Sequence, residues 1–307
     1  MAYQLRTSRA ADDELRRILA AQAGRAARAA AGDDPHEAVH EVRRRCKKAR
    51  AALRLARPAL GSAFARENAF FRDVGRSISQ LRDAQAVVEA IPALRERFAD
   101  EAPAPVLDRA QTEMRARRDA AAAPDELRDA LDRAGAELTQ AIDRLASLPV
   151  RGQGFGVVAA GLRRTYRDGR EAMKIARREP AIEALHEWRK RVKDHRYQIS
   201  MLRQLWPTVM EARQAELHRL SDLLGADHDL ATLSAILHSE DLGLDLEALM
   251  PLIERRRAEL IAQAWPLGAR LFAEKPGRFA KRIGALWAAA EASGPAPLPA
   301  RVAHAQL

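Results

Sequence analysis

Hydrophobic residues recur every three or four positions along most of the chain, which is the period of α-helices that bury one side. Near the start, one such apolar stripe consists of Val42, Cys46, Ala49, Leu53 and Leu60. Its counterpart in the second half consists of Trp188, Val192, Ile199, Leu202 and Trp206. No segment alternates β-branched with polar residues, so the pattern predicts no strand. The sequence therefore predicts an all-α protein.

Proline and glycine divide this helical pattern into segments. Asp34 followed by Pro35 predicts the start of a helix, because an acidic cap and a proline in the first turn favour initiation. The run 149–156 holds three glycines and one proline, and it predicts the centre of the molecule. We therefore predict a first helical-bundle repeat over 1–150 and a second over 151–293, together one domain. The Pro-rich residues 294–307 are predicted to form a flexible tail.

A motif near the start of the chain recurs 146 residues later, at His186 against His40. The first copy reads VHEVRRRCKKAR from Val39, and the second reads LHEWRKRVKDHR from Leu185. The same offset relates Arg82-Asp83 to His228-Asp229. Because the register is unchanged from residue 39 to residue 83, the sequence predicts two copies of one helical unit.

Basic residues occupy one sector, roughly 100° wide, of each motif helix. In the first copy this sector contains His36, His40, Arg43, Lys47, Arg50, Arg54 and Arg57. In the second copy it contains His186, Arg189, Lys193, Arg196 and Arg203. Neither helix places an acid in this sector, so the like charges repel one another unless an anion binds among them. A further basic stripe consists of Arg163, Arg167, Arg170, Lys174 and Arg177. The first copy matches it poorly: Arg17 and Arg28 align with it, but Ala21 and Gly24 replace Arg167 and Arg170.

Composition and charge favour a polyanionic partner. The chain has 307 residues, 52 Lys and Arg against 42 Asp and Glu, and a formal net charge of +10. Arginine forks and compact lysine charges suit phosphate oxygens. One cysteine excludes an internal disulfide framework, and no apolar run is long enough to cross a bilayer. We therefore expect a cytoplasmic protein that binds a phosphate polymer and has no membrane partner.

Residues typical of metal or acid–base chemistry have simpler interpretations. His36-Glu37-Ala38-Val39-His40 matches the HExxH pattern of zinc proteases, but the arginines that follow would repel a divalent cation. We therefore predict no metal site, no cofactor and no catalytic residue. His195 and Cys46 fall on the apolar stripes and are predicted core residues. Asp83 and Asp229 are expected to orient a neighbouring arginine.

The paired motifs His-Glu-x-Arg-x-Arg-x-Lys-x-x-Arg, each followed by an Arg-Asp or His-Asp helix, resemble the CHAD family (conserved histidine α-helical domain). The resemblance extends from about residue 8 to about residue 290. It implies two pseudo-symmetric four-helix units around a basic central channel that binds inorganic polyphosphate. The ligands that it implies are His40, Arg43, Lys47 and Arg50 in one half and His186, Arg189, Lys193 and Arg196 in the other. Arg82 fits the Arg-Asp motif, and His228 replaces that arginine in the second copy.

The resemblance also implies association with polyphosphate granules and with polyphosphate-metabolising proteins. We expect a non-enzymatic scaffold that is a stand-alone module, since nothing in the sequence has the strand pattern of a triphosphate-hydrolysing CYTH domain. Sulfate or phosphate ions are expected to mimic the ligand. A nucleic-acid-binding protein that uses the same basic surface is the first alternative, although few aromatic residues are available for stacking bases. A metal-dependent phosphohydrolase built on the histidines and Asp83 or Asp229 is the second.

Overall fold

The computed structural model describes residues 3–78, 80–101, 104–120, 124–239 and 245–293, with the backbone alone for residues 80–84 and 124. Within these residues the chain forms twelve α-helices, one short 3-10 helix and no strand. The helices are α1 (Ala11–Ala30), α2 (Pro35–Leu55), α3 (Arg57–Leu60), α4 (Ala63–Ser77), α5 (Gln80–Arg97), α6 (Ala104–Ala120), α7 (Pro124–Ala146), α8 (Gly156–Arg178), α9 (Ile182–Met201), the 3-10 helix Arg203–Leu205, α10 (Pro207–Ser239), α11 (Leu246–Leu271) and α12 (Pro276–Ala292). The all-α prediction is confirmed. The predicted tail over 294–307 lies outside the described residues.

The predicted start of α2 is confirmed. The Asp34 side chain accepts hydrogen bonds from the backbone N–H groups of His36, at 2.8 Å, and Glu37, at 3.2 Å. Pro35 occupies the first turn. These contacts satisfy two amides that the N-terminus of a helix leaves unpaired. The other motif helix, α9, follows Ala181 without a side-chain cap.

The main core lies between the helices that carry the two motifs. α2 packs against α1, α4, α8 and α9, while α9 packs against α8 and α10. All predicted stripe residues of α2 and α3 are buried, and so are Trp188, Val192, Ile199 and Leu202. Trp206 is the exception: it is 52% exposed, because the chain leaves α9 at Met201 and enters the 3-10 helix, where the α-helical register no longer applies. The prediction that Trp206 belongs to the core is wrong.

His195 and Cys46 are core residues, as predicted. His195 is fully buried against the rings of Tyr166, Phe272 and Phe279. Burial, with a smaller contribution from Arg213, lowers the pKa of His195 well below its ordinary value, so the imidazole is neutral in the folded protein. Burial raises the pKa of the Cys46 thiol to about 12. Neither group is available for acid–base or nucleophilic chemistry.

A second hydrophobic cluster joins the two halves of the chain away from the motif helices. It is built from α5, α6, the C-terminal part of α10 and α11. Val87, which the repeat pairs with Leu233, is buried in this cluster, and so is Leu233. The sequence repeats on the two sides of the predicted boundary at residue 150 therefore contribute side chains to the same hydrophobic cluster.

A close helix contact fixes α8 on α2. A Cβ atom added to Gly161 of α8 would lie 1.8 Å from the carbonyl oxygen of Leu55. Only glycine permits this approach of the two backbones. The predicted central segment supplies the turn before α8, where Gly152 and Gly154 adopt φ values of 93° and 49° that other residues rarely adopt.

The order of helices follows the sequence repeat. α8 begins 145 residues after α1, at 156 against 11, and α9 begins 147 residues after α2, at 182 against 35. The single long helix α10 occupies the positions that α4 and α5 have in the first half. The break between α4 and α5 thus has no counterpart in the second half.

Candidate basic binding surface

The basic sector of α2 is half-buried at its centre and exposed at its start. His40 and Lys47 are exposed, whereas Arg43, Arg50 and Arg54 are half-buried. Arg43 is held against α4, where its Nη1 donates a hydrogen bond of 3.1 Å to the carbonyl oxygen of Gly75. The helix contact therefore fixes the Arg43 guanidinium before any ligand binds.

The corresponding sector of α9 is packed against α10. A Cβ atom on Gly225 of α10 would lie 3.3 Å from Nη2 of Arg189, so the guanidinium lies directly over this glycine. The rings of His186 and His228 are 4.2 Å apart between centroids. Burial, His228 and the charges of Lys190 and Arg189 lower the pKa of His186 to about 4. His186 is therefore neutral at physiological pH.

The packing of α2 against α9 brings Lys47 within electrostatic reach of Lys193, although the two motif lysines are 146 positions apart. Burial and the charges of Arg189, Lys47 and Arg196 lower the pKa of Lys193 to about 7. Asp229 of α10 offsets part of this effect. The arrangement concentrates positive charge where the two halves of the chain meet. Asp229 thus acts on Lys193, and its expected role in orienting an arginine stays a prediction.

Carboxylates from other helices compensate part of the basic surface. Asp194 of α9 accepts a hydrogen bond of 2.9 Å from Nη1 of Arg54. Glu211 of α10 lies 3.1 Å from Nε of Arg203. Neither pair is visible in the sequence pattern of one helix, because a helical wheel shows only the acids on that helix. The sequence contains one signal for the Arg54–Asp194 pair. The repeat offset aligns Lys48 of the first motif with Asp194 of the second, so the charge is reversed at this position.

Three further predicted residues, Arg50, Arg57 and Arg196, each contact a neighbouring side chain. Arg50 donates a hydrogen bond of 3.2 Å to Oδ1 of Asn68, and burial with the charge of Arg54 lowers the Arg50 pKa to about 10. Arg57 is exposed, with its guanidinium 4.7 Å from the ring centroid of Phe64. Arg196 lies over the ring of Tyr197 at 4.9 Å.

The basic stripe of α8 lies opposite the buried face of that helix. Arg170 is half-buried, and the other members are exposed: Arg163, Arg167, Lys174 and Arg177. Arg167 pairs with Asp168 at 3.0 Å, and Lys174 pairs with Glu171 at 2.9 Å. These acids reduce the net charge of the stripe. None of its contacts within the described structure reaches the motif sectors of α2 and α9, so its part in binding stays a prediction.

Two further predictions concern Arg82 and the HExxH segment. The side chain of Arg82, like that of Asp83, lies outside the described residues. His36 and His40 are both exposed on α2. In the described part of the chain, no three His, Cys, Asp or Glu side chains converge in a way that would hold a metal ion.

Comparison with known protein families identifies the family of this chain. The family model of the CHAD domain matches residues 9–238. The chain belongs to the CHAD domain family. The match covers both motif helices of this CHAD domain and ends at the close of α10, whereas the resemblance in the sequence extends to about residue 290.

The crystal structure of the CHAD domain from the plant Ricinus communis is similar to this chain, with a TM-score of 0.47 and 20% sequence identity. The comparison covers 94% of this chain and 95% of the plant domain. A comparison with curated proteins gives no match. In the described residues of this CHAD domain, no helix is both long and apolar enough to cross a membrane.

Proposed function

We propose that this CHAD domain binds inorganic polyphosphate on the surface where α2 and α9 meet, without catalysis. We define this α2–α9 basic surface by His40, Arg43, Lys47 and Arg50 together with His186, Arg189, Lys193 and Arg196. The observation that carries the proposal is the packing of α2 against α9, which brings the motif cations of the two repeats within electrostatic reach: Lys47, Arg189 and Arg196 all act on Lys193. Charges that repel one another this strongly in the free protein favour a bound polyanion.

The two halves of this surface are related by a pseudo-twofold axis in our proposal. Lys48 of α2 lies near Arg196 of α9, and Asp194 of α9 lies near Arg50 of α2. The repeat offset exchanges Lys48 with Asp194 and Arg50 with Arg196, so each contact maps onto the other. A twofold arrangement of this kind extends one row of cations across both helices, which suits a repeating linear anion.

Polyphosphate suits this surface better than nucleic acid does. Single-strand binding requires aromatic rings on which bases stack. Tyr197 is buried, and Trp206, the exposed aromatic ring closest in sequence to α9, stands beyond its end. Arginine and lysine rows neutralise phosphates without reading any base. As a polyphosphate scaffold, the protein would reside in the cytoplasm and associate with polyphosphate granules or polyphosphate-metabolising proteins.

A competition experiment tests the ligand class. Labelled long-chain polyphosphate bound to the protein is challenged, at one fixed salt concentration, with unlabelled polyphosphate and with duplex DNA of equal phosphate content. We expect polyphosphate to displace the label at a much lower phosphate concentration than DNA. Displacement at equal concentrations would favour the nucleic-acid alternative. Orthophosphate release in the presence of Mg²⁺ or Mn²⁺ that is lost in both H40A and H186A would favour the phosphohydrolase.

A further inference from the structure

Asp194 holds three arginines at the edge of the α2–α9 basic surface. Its Oδ1 accepts a hydrogen bond of 2.9 Å from Arg54, and its Oδ2 lies 3.9 Å from Nη1 of Arg191. Arg50 is close enough to lower the pKa of the carboxyl group, against the larger opposite effect of burial. Only 13% of the Asp194 side chain is exposed. One buried carboxylate therefore lies among three arginines, and its single negative charge compensates only part of their total positive charge.

The other repeat has the opposite charge in this place. Lys48 occupies the position 146 residues before Asp194, and Arg196 lies beside Lys48 as Arg50 lies beside Asp194. Burial and the charges of Arg45 and Arg44 lower the pKa of Lys48 to about 8, and the Glu41 carboxylate offsets only part of this effect. Because an ammonium group is accommodated at one of the two equivalent places, the crossing of α2 and α9 does not in itself require a carboxylate. The charge of Asp194 therefore calls for another explanation.

A carboxylate and a phosphate group are alternative partners for the same arginine fork. We propose that Asp194 is a built-in anion that takes one phosphate position on the basic surface and thereby limits its affinity for polyphosphate. Arg54 then contributes little to ligand binding, because its guanidinium is already paired. This inference rests on the proposed function. It assigns two roles to Asp194: the carboxylate limits the affinity for polyphosphate, and it marks where the bound polyphosphate segment ends.

The test compares D194N with D108N, using fluorescently labelled long-chain polyphosphate. Asp108 pairs with Arg95 on α5, so both substitutions remove one carboxylate charge that is paired with arginine. We expect D194N to bind about tenfold more tightly than wild type, from the loss of one like charge near the ligand. D108N should stay within about twofold of wild type. The slope of log affinity against log salt should steepen in D194N by about one additional ion pair, and remain unchanged in D108N.

A double-mutant cycle with R54Q separates this role from a change of net charge. R54Q alone should have little effect on affinity, whereas R54Q in the D194N background should abolish the gain. D194N that binds no more tightly than D108N, or R54Q that weakens binding as much alone as in the double variant, would overturn the inference.

A stability measurement covers the case in which D194N folds poorly or the wild type does not bind polyphosphate. Removal of the carboxylate leaves Arg54 unpaired, so D194N should unfold at a lower temperature in phosphate-free buffer. Inorganic phosphate should then raise the Tm of D194N more than that of wild type or D108N. Equal shifts in all three proteins would refute an anion position at Asp194. The wild type could fail to bind polyphosphate while phosphate still raises the Tm of D194N more than that of the other two proteins. That result would support an anion position at Asp194 and reject polyphosphate as the ligand.

Discussion

Lys193 makes polyphosphate binding depend on pH near neutrality. In the free protein its pKa is about 7, because the amine is buried beside Arg189, Lys47 and Arg196. Bound phosphates neutralise these neighbours and add opposite charge, so they return the Lys193 pKa toward its ordinary value. Binding therefore takes up a proton wherever free Lys193 is deprotonated, and affinity rises as the pH falls through 7.

The magnitude follows from the free-state pKa. With a value of about 7, free Lys193 is roughly nine-tenths deprotonated at pH 8 and nine-tenths protonated at pH 6. Affinity should then increase about tenfold from pH 8 to pH 6, or ~1.4 kcal/mol, and level off below this range. Histidine, with an ordinary pKa of about 6.5, would give the same direction. The low pKa of His186, about 4, removes that histidine as the cause.

Calorimetric titration with long-chain polyphosphate in two buffers of different ionisation enthalpy measures the proton uptake directly. At pH 8 we expect about 0.9 proton per binding event in wild type. K193M should weaken binding and flatten the pH dependence, while K190M, which removes an exposed lysine paired with Glu187, should retain it. An unchanged pH slope in K193M would refute the assignment to Lys193.

The remaining predictions concern the surface, the core and the helix contact. Two double variants change the net charge equally. R43E/R189E replaces two of the residues that define the α2–α9 basic surface, so it should lose more than about 100-fold in affinity. R45E/R191E replaces arginines outside that set, which pair with Glu41 and Glu187, so it should lose only a few-fold. Acidification should destabilise the protein as the pH falls below about 6.5, because buried His195 must be protonated on unfolding, and H195L should flatten this loss in thermal melts. G161A should destabilise the fold by more than about 3 kcal/mol in denaturant titration, because its methyl group overlaps the Leu55 carbonyl, whereas G156A, with open space around it, should be nearly neutral.

The helical fold and most of the core follow from local patterns in the sequence. A period of three to four residues and the Asp34-Pro35 start depend on neighbours within a few positions, so the stripe of α2 and the beginning of that helix are predicted correctly. Trp206 shows where this reasoning ends. A wheel continued past Met201 assumes a helix that the chain has already left.

The charge balance of the site depends on contacts between distant segments, which a single helix does not reveal. The Arg54–Asp194 pair joins α2 to α9, and Lys193 has its low pKa partly because Lys47 approaches from the other repeat. Helical wheels group the cations of one helix but show neither the acids that other helices bring nor the burial that shifts a pKa. Arg203 lies beyond the end of α9, where the wheel of that helix no longer applies. The internal repeat is the sequence feature that relates these distant segments, since it predicts that α2 and α9 are equivalent helices of the two halves.

The location of bound phosphates in a crystal of this protein with a polyphosphate tests the central proposal most directly. We predict phosphate groups within hydrogen-bond distance of Lys47 and Lys193, continuing toward Arg43 and Arg189 along the α2–α9 basic surface. Phosphates found only along the exposed α8 stripe, from Arg163 to Arg177, would contradict the proposed site.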